Sequence, residues 1–171
     1  MASKPAKYHS SFTIDNIYFT VISSIRGIKE IIFNLEKNNS KPVDTIQLQP
    51  EDSAMHNVYP QMKEYFNGER EEFNLPLEIE GTDFQKKVWD ELLKIPFGTT
   101  ISYKELAVRL GDEKVIRAAA SANGANTFPI VIPCHRVIGS DGSLVGYGGG
   151  LKIKEKLLDL EGSRQKNLFN F

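Results

Sequence analysis

The signals for helix starts and stops in residues 82–124 constrain the fold more than any other feature of this sequence. TDFQ at 82–85 and SYKE at 102–105 are capping boxes, in which the first hydroxyl accepts a hydrogen bond from a free backbone N–H and the fourth side chain reaches back. Gly111 is placed to end the second of these helices, and Asp112 can cap a third. The boundaries therefore predict short helices joined by a glycine-containing turn, which is typical of a helix-turn-helix.

The residues before this helical segment favour strands. The runs NIYFTVISS (16–24) and GIKEIIFNLE (27–36) are rich in β-branched and aromatic residues and are separated by a short turn. A helix is predicted within residues 53–69. The predicted fold class is therefore α/β (α+β), with a small strand-rich N-terminal domain at 1–77 and a mostly helical C-terminal domain at 78–171 that contains the helix-turn-helix.

Composition narrows the possible functions. The single cysteine excludes an internal disulfide, and the three histidines show no metal-ligand spacing, so we expect neither a metal nor a cofactor. No apolar run approaches the roughly 18 residues of a membrane span, and the first residues lack the apolar segment of a signal peptide. We expect a cytoplasmic protein without membrane contact, in which a free thiol persists. The net charge of −1 argues against nucleic-acid binding, although the residues from Thr82 onward are slightly basic.

Cys134 is the main candidate for chemistry. It lies in PIVIPCHRVIGSDGSLVGYGGG (129–150), between a rigid proline and His135 and ahead of a glycine-rich loop. A lone cysteine is most often a small buried hydrophobic residue, but a neighbouring base can turn a thiol into a nucleophile. Chemistry alone leaves both interpretations open. Glu161 is a weaker candidate, because a carboxylate in the last turn of a helix opposes the helix dipole and is either locally paired or simply exposed.

The helix VIRAAASANGAN (115–126) has a run of small side chains. One interpretation is a helix packed tightly in a core. The other is a helix pressed into a DNA groove with Arg117 projecting from it, since side chains that fill gaps in DNA are used by minor-groove binders. The pattern alone favours neither interpretation.

The motif IPCHRV at 132–137 resembles the active-site signature of the O6-alkylguanine-DNA alkyltransferases. GTDFQKKVWDELLKIPFGTTISYKELA and RAAASANGANTFPIVIPCHRVIGSDGSLVGYGGGLKIKEKLLDLEG follow in the family's order, and the likeness covers about residues 81–162. The resemblance implies DNA repair by direct damage reversal, in which a cysteine irreversibly takes a methyl or alkyl group from O6-alkylguanine, and also from O4-alkylthymine, once per molecule. It implies a methylated-DNA–protein-cysteine methyltransferase that needs no cofactor and binds double-stranded DNA carrying alkylated guanine. We expect a monomer in solution that joins the nucleoid when bound to DNA.

The resemblance also assigns catalytic roles by position. Cys134 is the acceptor, His135 the base that draws its proton through a water, and Glu161 the carboxylate that orients His135. Asn126 resembles the asparagine that braces the turn before the active site. Tyr103 resembles the tyrosine that donates a hydrogen bond to the guanine ring as it leaves.

DNA-facing and pocket positions follow in the same way. Arg117 resembles the arginine that fills the space of the extruded base. The other residues expected at the DNA interface are Ala118, Ser121, Ala122 and Arg136. The residues expected to form the base pocket are Val137, Val145, Tyr147 and Gly148. The backbones of Val137 and Gly148 would contact the base, and Val145 would restrict bulky alkyl groups.

Three other functions are alternatives to alkyl transfer. An alkyltransferase-like protein that binds damage without transfer lacks the acceptor, so the presence of Cys134 argues against it. A helix-turn-helix transcription factor needs several polar base-reading side chains, and RAAASAN (117–123) supplies few. A cysteine hydrolase would need an oxyanion hole and a deacylating water, and the sequence shows neither clearly. Some alkyltransferases carry an additional cysteine-rich, metal-binding domain, and we expect this chain to be the stand-alone repair form.

Overall fold

A four-stranded sheet forms the first part of the computed structural model, which describes residues 6–37 and 40–164 and divides the chain into the units Met1–Ile79 and Glu80–Phe171. The sheet has the order β3-β2-β1-β4 and consists of β1 (Lys7–Ile14), β2 (Ile17–Ser24), β3 (Gly27–Asn34) and the two-residue β4 (Ile46–Gln47). Strands β1, β2 and β3 are antiparallel neighbours, whereas β4 is parallel to β1. The predicted β2–β3 hairpin is confirmed, and β1 is a strand that the sequence signals did not predict.

Turn chemistry and aromatic packing hold this N-terminal unit together. Asp15 and Asn16 connect β1 to β2 with φ values of 52° and 63°, the left-handed conformations that two-residue hairpin turns require. Helix α1 (Val58–Phe66) has Pro60 in its first turn, where a missing N–H is tolerated. Its rings pack on the strands, with Phe66 6.0 Å from Phe19 between ring centroids. The predicted helix within 53–69 is therefore present and starts at residue 58.

The C-terminal unit is mostly helical. It contains α2 (Asp83–Leu93), α3 (Tyr103–Arg109), α4 (Ile116–Gly124), α5 (Leu151–Leu160) and a parallel pair of two-residue strands, β5 (Ile101–Ser102) and β6 (Val137–Ile138). The α/β class with a strand-rich first part and a helical second part is thus confirmed. The division between the units falls after Ile79, and the predicted domain limits 1–77 and 78–171 remain a proposal. None of the helices in 6–37 and 40–164 has the length and apolar character of a membrane span.

The predicted caps start the helices of this unit. The hydroxyl of Thr82 accepts from the N–H of Gln85 at 3.1 Å and the Gln85 side chain accepts from the N–H of Thr82 at 3.0 Å, which completes the capping box. Ser102 accepts from the N–H of Glu105 at 3.0 Å. The Glu105 carboxylate pairs with Arg109 instead of reaching back to Ser102, so only half of the capping box predicted at 102–105 forms. Asp112 caps the short 3-10 turn that leads into α4.

Helices α3 and α4 form the predicted helix-turn-helix. Gly111 lies between them with φ of 99°, a conformation that favours glycine. The indole N–H of Trp89 on α2 donates to the carbonyl of Ala122 on α4 at 2.9 Å. This buried hydrogen bond fixes α4 against the core of the unit, with the opposite face of α4 left exposed.

Candidate active site

The turn before Cys134 is held by the side chain of Asn126. Its Oδ1 accepts from the N–H of Phe128 at 2.9 Å, and its Nδ2 donates to the carbonyl of Ile132 at 2.8 Å. Within this turn Ile130 has φ of 72°, a left-handed conformation that is unusual for a β-branched residue. The amide of Asn126 thus fixes the backbone just before Cys134, which is the bracing position predicted for it.

Cys134 opens a single 3-10 turn at 134–136 and is only 5 % exposed. Its carbonyl accepts from Nδ2 of Asn123 at 3.4 Å. Burial raises the pKa of the thiol, while the side chain of Asn126 and the charge of Lys154 act in the opposite direction. Because the raised pKa keeps the thiol protonated near neutral pH, it needs a base before it can attack.

His135, the next residue, has the properties of that base. Its Nε2 lies 2.8 Å from Oε1 of Glu161, and neither side chain is exposed to solvent. A carboxylate only accepts hydrogen bonds, so we assign the ring proton to Nε2, which leaves a lone pair on Nδ1. Within the described residues, Nδ1 is buried without a hydrogen-bond partner. Burial lowers the pKa of His135, although Glu161 opposes this shift, and the imidazole is therefore neutral and able to accept a proton.

Glu161 is held ionised by the guanidinium of Arg136 and by its hydrogen bond with His135. Burial by itself would raise its pKa, but hydrogen bonds and charges from His135 and Arg136 outweigh burial and hold the pKa at about 2. Arg136 donates from Nε to Oε2 and from Nη2 to Oε1, both at 2.9 Å. Glu161 therefore contacts the imidazole, as its proposed orienting role requires. Of the two alternatives left open for a carboxylate that opposes the helix dipole, the structure shows the locally paired one.

The predicted contact of Arg136 with DNA is not supported by its position. The side chain is buried, and its guanidinium is already bound by Glu161 and by the carbonyl of Ile95, which accepts from Nη1 at 2.6 Å. Phe97 packs against it, with the ring centroid 5.8 Å from Cζ. Arg136 is therefore reassigned from the DNA interface to the charged cluster that supports His135.

Tyr103 and Lys154 share a backbone partner and both interact electrostatically with Cys134. The hydroxyl of Tyr103 donates to the carbonyl of Val145 at 3.3 Å, and Lys154 donates to the same carbonyl at 2.9 Å. Burial, followed by the charge of Cys134, raises the pKa of Tyr103, so the phenol stays protonated and can donate.

Lys154 was missed by sequence reasoning. The signal was available, because Lys154 occupies the stripe of α5 that also holds Leu157, Leu158 and Glu161.

The four predicted pocket residues have different environments. Val137 is fully buried in β6, directly after the Cys134 turn, and its carbonyl accepts from Lys154 at 2.6 Å. Val145 and Gly148 are exposed, and Tyr147 is half-buried, in the loop at 139–150. The side chain of Val137 therefore cannot face a base, and only its backbone fits the predicted role.

Helix α4 presents part of the predicted DNA interface to solvent. Arg117, Ala118 and Ser121 are exposed on one face. Ala122 is only 3 % exposed, and its carbonyl holds Trp89. The predicted contact of its side chain with DNA is therefore not supported, because Ala122 belongs to the packed face of α4.

In the part of the chain that the structure describes, no cluster of three or more His, Cys, Asp and Glu side chains could hold a metal.

Two family descriptions match this chain. Residues 83–163 match "6-O-methylguanine DNA methyltransferase, DNA binding domain", and residues 17–79 match "6-O-methylguanine DNA methyltransferase, ribonuclease-like domain". Among curated proteins, the methylated-DNA–protein-cysteine methyltransferase of Methanosarcina barkeri is 47 % identical over 80 % of this chain and 85 % of its own length. The protein of the same name from Mycobacterium tuberculosis is 49 % identical over 67 % of this chain and 70 % of its own length.

Solved structures agree with these sequence matches. The O6-methylguanine methyltransferase of Mycobacterium tuberculosis has a TM-score of 0.81 and 35 % identity, covering 96 % of this chain and 99 % of its own. A structure described as Mycobacterium tuberculosis OGT in complex with DNA has a TM-score of 0.78 and 36 % identity, covering 92 % and 94 % of the two chains. The similarity therefore extends over both units of the chain.

Proposed function

The chain belongs to the 6-O-methylguanine DNA methyltransferase family, and from this premise we infer that it repairs alkylated DNA by direct reversal. Cys134 takes the methyl or alkyl group from O6 of guanine in double-stranded DNA, as a stoichiometric and self-inactivating methylated-DNA–protein-cysteine S-methyltransferase. The observation that carries this inference at the residue level is the buried imidazole of His135, the residue that follows the acceptor in the chain. His135 is bound through Nε2 to Glu161 and has Nδ1 available to accept a proton.

The first step is loss of the thiol proton. In our proposal, the proton of Cys134 passes through one water to Nδ1 of His135, and the imidazolium is stabilised by the ionised Glu161. The bonds from Arg136 keep the carboxylate ionised and correctly oriented. The cluster thus makes a thiolate inside a site whose burial would otherwise disfavour one.

The second step is a single displacement. The thiolate attacks the alkyl carbon, a sulfur–carbon bond forms, and the bond between that carbon and O6 breaks with its electron pair left on guanine. Tyr103 neutralises this charge by donating its phenolic proton to the base, since a fixed donor in a dry site stabilises developing charge strongly. The imidazolium then returns the proton originally taken from Cys134 to the phenolate through solvent, so that protons balance.

The product explains why each molecule acts once. A thioether has no tendency to leave, and nothing in the proposed set of residues regenerates the thiol. The same attack applies to O4-alkylthymine, because the reacting carbon is again bound to an exocyclic oxygen beside a ring that can accept a proton. Val145, exposed in the pocket loop, would limit the size of the alkyl group.

The target base must first leave the duplex. Cys134 is buried and cannot reach a stacked guanine, so the base is flipped at a cost of a few kcal/mol, which is lower for a damaged pair. The exposed face of α4 with Arg117, Ala118 and Ser121 fits the proposed DNA contact. Small side chains allow close approach of the helix, and Arg117 fills the space that the base leaves.

We also propose a cytoplasmic location, with association with the nucleoid during repair. The acceptor must remain a reduced thiol until it is used, and reducing compartments keep thiols reduced.

The decisive experiment follows a labelled methyl group. A duplex carrying O6-methylguanine with a labelled methyl group is incubated with the protein, which is then digested. We expect label on the peptide that contains Cys134, saturating near one methyl group per protein. Cys134→Ala should keep binding to the duplex and transfer nothing. Label that stays on DNA, or more than one turnover per protein, would contradict the proposal.

A further inference from the structure

Lys154 is a buried lysine with no role in the mechanism above. It lies on α5, its side chain has no exposed surface, and its Nζ donates to the carbonyls of Val137 at 2.6 Å and Val145 at 2.9 Å. Neither of these partners is charged. Burying an ammonium group is costly unless its surroundings compensate for lost water, and two carbonyl dipoles are weaker compensation than a carboxylate. An explanation in terms of fold stability alone is therefore weak.

The two carbonyls belong to two different parts of the site. Val137 begins β6 immediately after the turn that carries Cys134, whereas Val145 lies in the pocket loop, residues 139–150. The hydroxyl of Tyr103 donates to the carbonyl of Val145 as well. Lys154 thus joins the active-site turn to the pocket loop at the point where Tyr103 also contacts the loop.

The charge of Lys154 acts on the groups that react. Its Nζ lies 5.8 Å from the ring centroid of Tyr103. The ammonium lowers the pKa of Cys134 and also that of His135, and the charge of Cys134 in turn raises the pKa of Lys154. Burial is the larger effect on Lys154 and lowers its pKa to about 8. The ammonium is therefore still mostly protonated near neutral pH, where the thiolate has to form.

We propose that Lys154 is a positioning residue for the transfer, whose ammonium group ties the pocket loop to the active-site turn and stabilises the negative charge formed on the sulfur of Cys134. The role in transfer rests on the proposed function. The effect on the thiolate does not, because it concerns two groups of the free protein. If Lys154 had only a structural role, it would hold the pocket loop in place but would not affect the pKa of Cys134.

The test measures the acidity of Cys134 without DNA. The full-length protein is treated with iodoacetamide across a range of pH, and mass spectrometry counts the adduct, which reports Cys134 alone because the chain has one cysteine. In Lys154→Met we expect the midpoint of the alkylation profile to rise by about one pH unit or more, as for a thiolate that loses a nearby cation. Lys154→Gln keeps a donor for the carbonyls but no charge, and should show the same shift.

Two further variants separate charge from disruption. Lys154→Arg keeps a cation and should bring the midpoint back toward that of the wild type. Lys152→Met removes an exposed charge from the same helix and should leave the midpoint unchanged. Each variant is first compared with the wild type by thermal melting. If Lys154→Met does not fold, the comparison of Lys154→Gln with Lys154→Arg decides the question.

The outcomes distinguish this inference from the proposed function. A midpoint that does not move in Lys154→Gln or Lys154→Met overturns the role assigned to Lys154, even if the wild type accepts methyl groups from DNA. If the midpoint moves but the wild type accepts no methyl group from an O6-methylguanine duplex, the proposed function fails and the coupling between Lys154 and Cys134 stands. If both hold, methyl transfer by Lys154→Gln should be slower near neutral pH and recover partly at higher pH.

Discussion

The two units of the chain bury polar side chains of different kinds. In the N-terminal unit the buried polar residues include His9, Ser10, Ser23, Ser24 and Gln61, whereas in the C-terminal unit they include His135, Arg136, Lys154 and Glu161. Burial lowers the pKa of His9, so the first group is neutral near pH 7. Moving an ion out of water costs several kcal/mol, and a neutral hydrogen-bonding group costs less. Comparison of the two units therefore indicates that buried charged side chains, rather than buried polar side chains in general, mark the reactive part of this molecule.

The largest effect should come from removing one charge of the buried cluster. Glu161→Gln leaves Arg136 buried without its ionic partner, and we expect a loss of about 3–5 kcal/mol in the free energy of unfolding. Methyl transfer should fall about 100-fold or more, because the imidazolium loses its stabilising carboxylate. Urea denaturation measures the stability, and amide hydrogen exchange identifies the C-terminal unit as the part affected.

The pH dependence gives this prediction its control. The folded Glu161 has a pKa of about 2, below its ordinary value of 4.5, so its contribution to stability is fully present above pH 4.5 and is lost as the pH falls through 2. The stability difference between wild type and Glu161→Gln should shrink over that interval. Glu105→Gln breaks an exposed ion pair with Arg109 and should change stability by no more than about 1 kcal/mol. A difference that is independent of pH would argue against the buried pair.

An intermediate loss of stability is expected from replacing Gln61, a buried neutral side chain of the N-terminal unit. The amide of Gln61 donates to the carbonyl of Asn74 and accepts from its N–H, both at 2.9 Å. Gln61→Met removes both bonds and should cost about 1–3 kcal/mol, as measured by urea denaturation. The rate of methyl transfer should not change. If Gln61→Met lowered the free energy of unfolding as much as Glu161→Gln, the proposed difference between buried neutral and buried charged side chains would be contradicted.

Replacing Arg117 should have the smallest effect on stability and a large effect on the rate of methyl transfer from duplex DNA. Arg117 is exposed on α4, so Arg117→Ala should change the free energy of unfolding by no more than about 0.5 kcal/mol. Transfer from duplex DNA should slow about 10-fold or more, because the flipped state loses the side chain that fills its gap, while single-stranded substrate, with no stack to open, should react at the normal rate.

The salt dependence of duplex binding serves as the check on Arg117. If the side chain acts on flipping rather than on phosphate, the slope of log affinity against log salt should stay near that of the wild type. Lys114→Ala removes a nearby exposed charge and should leave the ratio of duplex to single-strand rates unchanged. An unchanged rate of Arg117→Ala on duplex substrate would refute the assigned role.

Sequence signals predicted the elements that depend on local chemistry. The capping box at Thr82, the cap at Ser102 and the glycine turn at Gly111 all specify backbone geometry within a few residues, and the structure contains each of them. Strand β1 was missed because its buried positions include His9 and Ser10, which weakens the alternation of apolar and polar residues. The hydrogen bonds of a strand come from its neighbours, and local sequence does not report them.

The residues of the site divide in the same way. The resemblance assigned Cys134, His135 and Glu161, and the structure places the last two in contact. Arg136 and Ala122 were misplaced because the sequence does not reveal which side of an element is packed. Lys154 was missed because a lysine is ordinarily exposed, and only its place in the apolar stripe of α5 indicated otherwise.

The bond between Trp89 and the carbonyl of Ala122 has a practical consequence. Trp89 is the only tryptophan of the chain, and its indole is attached to the helix that carries Arg117. Its fluorescence therefore reports changes in the environment of the buried face of α4 without an added dye. Stopped-flow emission traces could time the approach of the protein to a lesion separately from capture of the methyl group, using the unmodified chain as its own optical reporter.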